Sequence, residues 1–220
     1  MKTNKVVVFD LDDTLYNEID YLKSAYSEIS DKISKLIIIE KKIIYKDLLY
    51  FYYSKANPFK KIISKYSIPL DVNDLLVLYR NHRPNLVLTQ DRLELFRYLK
   101  HINIPIGLMT DGRSVQQRNK LEALNISSFF SEILISEEFG SEKPSLENYK
   151  HFENKFGDAS YYYIGDNICK DFVTANKLNW TTICLIDNGL NIHKQDKEVP
   201  DINYFAQFRI TSFKDIVELV

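Results

Sequence analysis

Short runs of β-branched and aromatic residues alternate with helical patterns along most of this 220-residue chain. The runs are VVVF (6–9), IPIGLM (104–109), EILIS (132–136), YYYIG (161–165), TTICLI (181–186) and FAQFRI (205–210). Helical patterns lie between most of them, for example at 113–124 and 145–156, and a short one follows the last run. Strands and helices in alternation form a parallel sheet with helices on both faces. The pattern therefore predicts an α/β fold with a doubly wound parallel sheet.

The interval 17–83 departs from this alternation because it contains no convincing strand pattern. Apolar residues between Ile19 and Leu36 recur every three or four positions, which is typical of one face of a helix. Further helical stretches are expected at about 43–55, 59–66 and 72–82, with breaks near Pro58 and Pro69. We therefore predict a helical domain at 17–83, inserted into an α/β core formed by 1–16 and 84–220.

The composition limits the class of partner. Hydrophobic residues make up 45% of the chain and charged residues 27%, which is typical of a globular domain with a sizeable core. The net charge of -1 provides no positive field for a nucleic acid or an anionic membrane, so we expect neither partner. No signal peptide is apparent, and two widely separated cysteines suggest free thiols, so we expect a cytoplasmic protein. The oligomeric state stays open.

Unusual polar residues follow the predicted strands. Because ligands bind beyond the carboxyl ends of the strands in a doubly wound sheet, we expect these residues to form one site. They are Asp10, Asp12, Asp13 and Thr14 after the first strand, Thr110, Asp111, Gly112 and Arg113 after the second, Lys143 before the helix at 145, and Asp166 and Asp171 after YYYIG.

The chemistry of these residue types favours phosphoryl transfer. Asp10 and Asp12 lie two positions apart, and carboxylates that close repel unless a cation intervenes. Asp166 and Asp171 add negative charge, and an all-oxygen ligand set suits Mg²⁺. Lys143, interpreted as the only basic residue among them, cannot neutralise four acids but could hold an anionic substrate group. A carboxylate nucleophile beside a metal and a lysine predicts a reaction through an aspartyl-phosphate.

Four motifs in this order resemble those of the haloacid dehalogenase-like (HAD) hydrolase superfamily: DLDDT, LMTDG, Lys143 before Pro144, and GDNICKD. The resemblance implies a Rossmann-like core. It also implies that the helical insertion is similar to a C1 cap, which closes over the active site and selects the substrate. The chain is thus identified as a C1-capped (subfamily I) phosphatase of this superfamily.

The resemblance also implies roles for individual residues in catalysis. Asp10 would attack the phosphorus atom and become phosphorylated. Asp12 would protonate the leaving oxygen and then deprotonate the water that hydrolyses the intermediate. Thr110 and Lys143 would hold the oxygens of the transferring phosphoryl group.

The same resemblance implies a metal site. Asp166 would bind Mg²⁺ together with the Asp10 carboxylate and the Asp12 backbone carbonyl, and Asp171 would complete the site. Asp13 is interpreted as a structural residue that shapes the turn.

Further substrate-binding candidates lie after the second motif and in YRNHRP, where the insertion returns to the core. For His82 an interdomain hydrogen bond is an alternative, and for Arg113 a salt bridge at a helix start. A position of Asn167 in the site stays open. The candidates besides Thr110 and Lys143 are Asp111, Gly112, Arg113, His82 and Arg83.

Asp12 distinguishes between reactions within the superfamily. Dehalogenases that resemble this fold lack an acid at that position, so Asp12 favours phosphate esters. The predicted function is a Mg²⁺-dependent phosphatase of a small phosphorylated metabolite, a sugar phosphate or a nucleoside monophosphate. A β-phosphoglucomutase-like phosphomutase and a catalytically silent HAD-like scaffold are the alternatives.

Overall fold

A six-stranded sheet forms the centre of the structure, which is a computed structural model that describes residues 4–220. All neighbouring strands are parallel, in the order β3-β2-β1-β4-β5-β6. This arrangement confirms the predicted α/β fold. The strands are β1 (Lys5–Phe9), β2 (Ile106–Thr110), β3 (Glu132–Ile135), β4 (Ser160–Gly165), β5 (Thr181–Leu185) and β6 (Phe208–Ile210).

Strand β1 occupies the position where the strand order reverses. Phe9 is in register with Leu108 of β2 on one side and Ile164 of β4 on the other. The chain segments that leave these three strands therefore emerge together at one edge of the sheet. That edge is the switch point where doubly wound folds bind ligands.

Both faces of β1 are buried, as a central parallel strand requires. Val7 and Phe9 belong to one hydrophobic cluster, whereas Val6 and Val8 belong to another. Because successive side chains of a strand point to opposite faces, the sheet separates the two clusters. This burial explains why β1 is a continuous apolar run.

Four helices follow β1 without an intervening strand: α1 (Glu18–Leu36), α2 (Lys41–Tyr53), α3 (Pro58–Tyr66) and α4 (Val72–Asn81). Their buried apolar side chains form a third cluster, drawn from residues 19–75. Pro58 is the first residue of α3, where its missing N–H costs no hydrogen bond, so it begins a helix at the predicted break. The division into domains at 16/17 and 83/84 stays a prediction.

The remaining helices cover the sheet. Helix α5 has no counterpart among the helical patterns named above, because its segment QDRLELFRYLKH is rich in charged residues. No helix of residues 4–220 is long and apolar enough to span a membrane. The helices are α5 (Gln90–His101), α6 (Ser114–Leu124), α7 (Ser136–Phe139), α8 (Leu146–Phe156), α9 (Val173–Lys177) and α10 (Ile216–Leu219).

Replacement of Phe96 on α5 tests how this helix is anchored. The fully buried ring lies 5.3 Å from that of Phe9, 5.4 Å from Phe129 and 5.5 Å from Phe130. Phe96→Ala should lower the free energy of unfolding by about 3–5 kcal/mol, because it removes these contacts and leaves a cavity. Urea denaturation measures the change. The control is Arg97→Ala, at the neighbouring exposed position, which should change the free energy of unfolding by about 0.5 kcal/mol or less. Equal losses of unfolding free energy in the two variants would contradict the conclusion that the packing of Phe96 anchors α5.

Candidate active site

The carboxyl ends of β1, β2 and β4 open into a cavity of about 110 Å³. Most of its lining is charged or polar, and much of it belongs to the motifs that follow the strands. A larger cavity of about 600 Å³, between α1, α2 and residues 189–194, is lined by no carboxylate. The smaller cavity is lined by Asp10, Asp12, Glu18, Thr110, Asp111, Lys143, Asp166, Asn167, Lys170, Asp171 and His193.

Lys143 joins two buried acids at the base of this cavity. Its ammonium group donates hydrogen bonds to Asp10 Oδ1 and, over 2.7 Å, to Asp171 Oδ1. The side chains of Lys143 and Asp10 are less than one-tenth exposed and that of Asp171 is fully buried. Burial alone would lower the pKa of Lys143, but the charges of Asp10 and Asp171 raise it well above its usual value. The lysine therefore stays positively charged.

Asp10, Asp166 and Asp171 form a group of three buried carboxylates. One oxygen from each lies within 4.8 Å of the others. Burial, only partly opposed by Lys143, raises the pKa of Asp10 to about 8, and burial together with the charges of Asp171 and Asp10 raises that of Asp166 to about 10. Protons or a divalent cation must therefore offset the charge at neutral pH. An all-oxygen group of this kind fits a hard cation such as Mg²⁺.

The loop after β4 is shaped around the Asp171 carboxylate. Asp171 Oδ2 accepts the backbone N–H groups of Asp166 at 3.1 Å and Asn167 at 2.8 Å. A Cβ atom on Gly165 would lie 2.4 Å from the same oxygen, so this position requires glycine. Asn167 lines the cavity, and its Oδ1 accepts the Cys169 N–H at 3.0 Å.

Asp12 belongs to a separate ion pair. Its carboxylate accepts hydrogen bonds from Lys120 Nζ at 2.7 and 2.9 Å and from the Tyr16 hydroxyl. Gln117 Nε2 donates to Asp12 at 2.9 Å and to the hydroxyl oxygen of Thr110 at 2.6 Å. Burial raises the pKa of Asp12, but the charge and hydrogen bonds of Lys120 outweigh it and lower this pKa below its usual value.

The interpretation of Lys143 as the only basic residue among the acids is wrong. Lys120 contacts Asp12 directly, and Lys170 Nζ lies 2.9 Å from Asp111 Oδ2 at the cavity wall. The sequence pattern hid both residues because neither follows a strand directly. Lys120 lies on α6, which brings it back over the end of β1.

Asp13 does not line the cavity. Its two carboxylate oxygens accept the backbone N–H groups of Glu18 at 2.8 Å and Ile192 at 2.7 Å. Its φ angle of 56° places it in the left-handed region that occurs in tight turns. These contacts connect the turn after β1 to the start of α1 and to the loop after β5.

The rest of the second motif is divided between the cavity and its surroundings. Asp111 lines the cavity, whereas Gly112 and Arg113 border a neighbouring one. The backbone N–H of Gly112 donates to Ser136 Oγ at 2.9 Å. Arg113 forms an exposed ion pair with Glu137 at 2.6 Å, which is the alternative role considered for it.

His82 and Arg83 do not line the cavity. His82 is buried against α1, where Nε2 lies 2.7 Å from Ser24 Oγ and Nδ1 contacts the Glu28 carboxylate. These side-chain contacts lie within the helical segment 17–83, whereas the backbone carbonyl of His82 accepts a hydrogen bond from Asn119 Nδ2 of α6 at 3.1 Å, which is the alternative role considered for it. Arg83 is exposed.

Several lining or contacting residues escaped the sequence analysis. Gln117 and Lys120 are three positions apart on one face of α6, so a helical wheel drawn after the second motif would have placed them together. Glu18 is the first residue of α1, a few positions after the first motif. His193 lies in a loop that carries no recognisable pattern.

Comparisons with a family model and with known proteins point to the same family. Residues 7–185 match the family model of the haloacid dehalogenase-like hydrolases. A glyceraldehyde 3-phosphate phosphatase from Methanocaldococcus jannaschii is 28% identical over 98% of this chain and 96% of its own length.

Solved structures agree on the fold. A HAD-type hydrolase from Bacillus subtilis, YfnB, described as bound to magnesium, matches 99% of both chains with a TM-score of 0.70 and 17% identity. A 2-haloacid dehalogenase from Pseudomonas syringae matches 99% of this chain and 98% of its own, with a TM-score of 0.60 and 15% identity. Enzymes with different reactions thus share this architecture, so the reaction has to be argued from the site.

The ion pair between Lys120 and Asp12 can be tested by mutation. Lys120 is almost fully buried, so Lys120→Met leaves the Asp12 carboxylate without its cation. We expect the free energy of unfolding to fall by about 3 kcal/mol, the low end for a broken buried pair, because Tyr16 and Gln117 still donate to Asp12. Urea denaturation at neutral pH measures this loss.

The matched control breaks an exposed ion pair that another residue of α6 forms. Arg118 and Glu138 are 2.6 Å apart with half-exposed side chains. Arg118→Met should lower the free energy of unfolding by about 1 kcal/mol or less. A loss in Lys120→Met no larger than in this control would show that the buried pair is not a major source of stability.

Proposed function

The chain belongs to the haloacid dehalogenase-like hydrolase family, and we propose that it hydrolyses the phosphate monoester of a small sugar phosphate. The observation that carries this proposal is the pairing of Asp10 and Asp12 in one cavity, each with its own lysine. Glyceraldehyde 3-phosphate is the first substrate to test, since the Methanocaldococcus jannaschii relative carries that name over nearly its full length. The small cavity volume, about 110 Å³, supports a small substrate.

In the first half of the proposed reaction, Asp10 is the nucleophile. Lys143 holds Oδ1, whereas the one hydrogen bond that Oδ2 accepts from residues 4–220 is long, at 3.4 Å from the Thr14 hydroxyl. A carboxylate oxygen of Asp10 forms a bond to phosphorus as the bond from phosphorus to the ester oxygen breaks. Because the pKa of Asp12 is lowered in the structure, Asp12 must first take up a proton from solvent or from the substrate monoanion; it then transfers that proton to the leaving oxygen, and the alcohol departs.

In the second half, Asp12 acts as the base. It takes a proton from water as the water oxygen bonds to phosphorus, and the bond between phosphorus and Asp10 breaks to release phosphate. Lys120, Tyr16 and Gln117 stabilise the ionised Asp12 that this step requires. Because Gln117 also donates to Thr110, the same network orients the hydroxyl proposed to hold a phosphoryl oxygen.

Asp10, Asp166 and Asp171 would hold a Mg²⁺ ion together with the backbone carbonyl of Asp12. The fit rests on the proximity of the three carboxylates and on the single lysine that contacts two of them. A bound Mg²⁺ supplies positive charge, which offsets the repulsion between carboxylate and phosphate and stabilises charge in the transition state.

We also propose that residues 17–83 act as a cap over the cavity. Glu18, the first residue of α1, lines the cavity, so the helical segment contributes directly to the site. The Asp13 carboxylate connects the start of this helix to the catalytic turn. Movement of the cap would therefore change the surroundings of the substrate.

Asp10→Asn tests the nucleophile. The amide cannot form an acyl-phosphate, so turnover should fall by about 10³-fold or more while the fold is retained. Release of nitrophenol from p-nitrophenyl phosphate measures activity, and circular dichroism checks the fold. Asp20→Asn, at an exposed position on α1, is the control and should keep its activity. Substantial turnover by a folded Asp10→Asn variant would refute the mechanism.

The pH dependence of stability tests the metal site. The folded-state pKa values of Asp10 and Asp166, about 8 and about 10, lie above their ordinary value of 3.8. Their contribution to stability in metal-free protein is therefore fully present below about pH 4 and is lost as the pH rises through these values. Mg²⁺ competes with the same protons, so it should raise the melting temperature more at about pH 9 than at about pH 6.

Thermal melts with Mg²⁺ or with EDTA at both pH values measure this difference. Asp166→Asn removes one proposed ligand and should lose most of the Mg²⁺-dependent shift. A shift of equal size at both pH values, or one retained in Asp166→Asn, would place the ion elsewhere.

A further inference from the structure

Lys143 lies in the irregular segment 140–145, between α7 and α8. Because its ammonium group meets Asp10 and Asp171, the backbone of this segment has to be held close to the ends of β1 and β4. The backbone N–H of Lys143 donates to Asp111 Oδ1 at 3.0 Å. Lys143 is buried, and a buried N–H without an acceptor is costly. The Asp111 carboxylate therefore fixes the backbone from which the lysine side chain extends.

The second oxygen of Asp111 meets a different loop. Asp111 Oδ2 accepts a hydrogen bond from Lys170 Nζ at 2.9 Å, and the same nitrogen lies 3.5 Å from Glu142 Oε2. Asp111 directly follows β2, whereas Lys170 lies in the loop after β4. Glu142 is the chain neighbour of Lys143. One carboxylate thus connects the ends of β2 and β4 to the segment that carries the buried lysine.

This arrangement suits a group that holds other parts of the protein. Oδ1 of Asp111 is occupied by a backbone N–H and Oδ2 by a lysine. A carboxylate would also repel the oxygens of a phosphoryl group, so direct contact with the phosphate is unfavourable. The lysine that Asp111 holds needs accurate placement, since a displacement of about 1 Å in a catalytic site can lower the rate by about 10²-fold.

We propose that Asp111 is a positioning residue, which fixes the backbone of Lys143 and so keeps its ammonium group between Asp10 and Asp171. The inference rests on the proposed function, because it concerns the lysine proposed to hold a phosphoryl oxygen. It gives Asp111 a role different from the substrate binding predicted from the sequence. Lys170 supports this role by holding the second oxygen of the same carboxylate.

Three replacements of Asp111 separate its geometry from its charge, with kcat for nitrophenol release from p-nitrophenyl phosphate and Mg²⁺ as the readout. Asp111→Ala removes both contacts, so kcat should fall by about 10²-fold. Asp111→Asn keeps an oxygen for the Lys143 N–H, while the partly exposed Lys170 can turn to solvent, so kcat should stay within about threefold of the wild type. Asp111→Glu keeps the charge but displaces the acceptor by one methylene group, so kcat should fall by about tenfold or more.

An Asp111→Asn variant as slow as Asp111→Ala would overturn the inference, because the acceptor for the Lys143 N–H would then not be the feature that matters. If Asp111→Ala does not fold, the comparison of Asp111→Glu with Asp111→Asn provides the same test. Circular dichroism checks the fold of each variant.

Two substrates distinguish positioning from a substrate contact. The leaving group of p-nitrophenyl phosphate has no hydrogen-bond donor for Asp111, whereas glyceraldehyde 3-phosphate carries a hydroxyl. Positioning of Lys143 predicts the same relative fall in kcat with both esters. A fall confined to glyceraldehyde 3-phosphate, or a rise in KM with kcat unchanged, would show that Asp111 binds the substrate and would overturn the inference.

Asp47→Ala controls for the loss of a similar ion pair elsewhere. Asp47 lies 2.6 Å from Lys65, and its side chain is 18% exposed, against 17% for Asp111. The pair joins α2 to α3 and contacts no residue that lines the cavity, so kcat should be unchanged. An equal fall in kcat in Asp47→Ala and Asp111→Ala would indicate general destabilisation and would contradict a positioning role.

Hydrogen exchange at the Lys143 amide measures the placement without turnover. Exchange should be about tenfold faster or more in Asp111→Ala than in the wild type, and the amide should stay protected in Asp111→Asn. Equal protection in the wild type and Asp111→Ala would overturn the inference. A wild type that protects this amide but releases no phosphate from either ester would instead refute the proposed function.

Discussion

The Lys143 ammonium group, placed between the carboxylates of Asp10 and Asp171, is the contact on which the site depends. Buried charges are tolerated only when they are paired and hydrogen-bonded. Asp10 follows β1, Asp171 lies in the loop after β4, and Lys143 precedes α8. One cation therefore connects three separate segments at the switch point of the sheet. Among residues 4–220 no lysine pairs with Asp166, and a metal ion would balance the charge of this carboxylate.

A second ion pair keeps the two acids of the first motif distinct. Lys120 and Gln117 approach from α6 and bond to Asp12, whereas Lys143 approaches from the other side and bonds to Asp10. Neighbouring carboxylates with different partners acquire different pKa values: that of Asp10 is raised and that of Asp12 lowered. For the proposed reaction, a cation bound beside Asp10 would have to lower its pKa so that it can attack, and Asp12 must take up a proton before it acts as the acid.

Much of the site was predictable because its residues follow strands. Asp10, Thr110 and Asp166 lie at or just beyond the ends of parallel strands, and parallel strand ends converge whatever the details of packing. Lys120 could not be placed in this way, because its position depends on how α6 packs over β1. His82 illustrates the opposite case: it looked available to a substrate, but both of its ring nitrogens contact side chains of α1.

The sequence alone determined the α/β alternation, the helical insertion and the group of acids, because hydrophobic periodicity and short motifs are local properties of the chain. Only the tertiary structure decided which cation meets which acid and which further residues line the cavity. Those facts depend on distances between segments far apart in the chain, such as the 2.7 Å between Lys120 and Asp12. Glu18 is the clearest example: in the sequence it is one more acid at a helix start, and in the fold it lines the cavity together with Asp10 and Asp12.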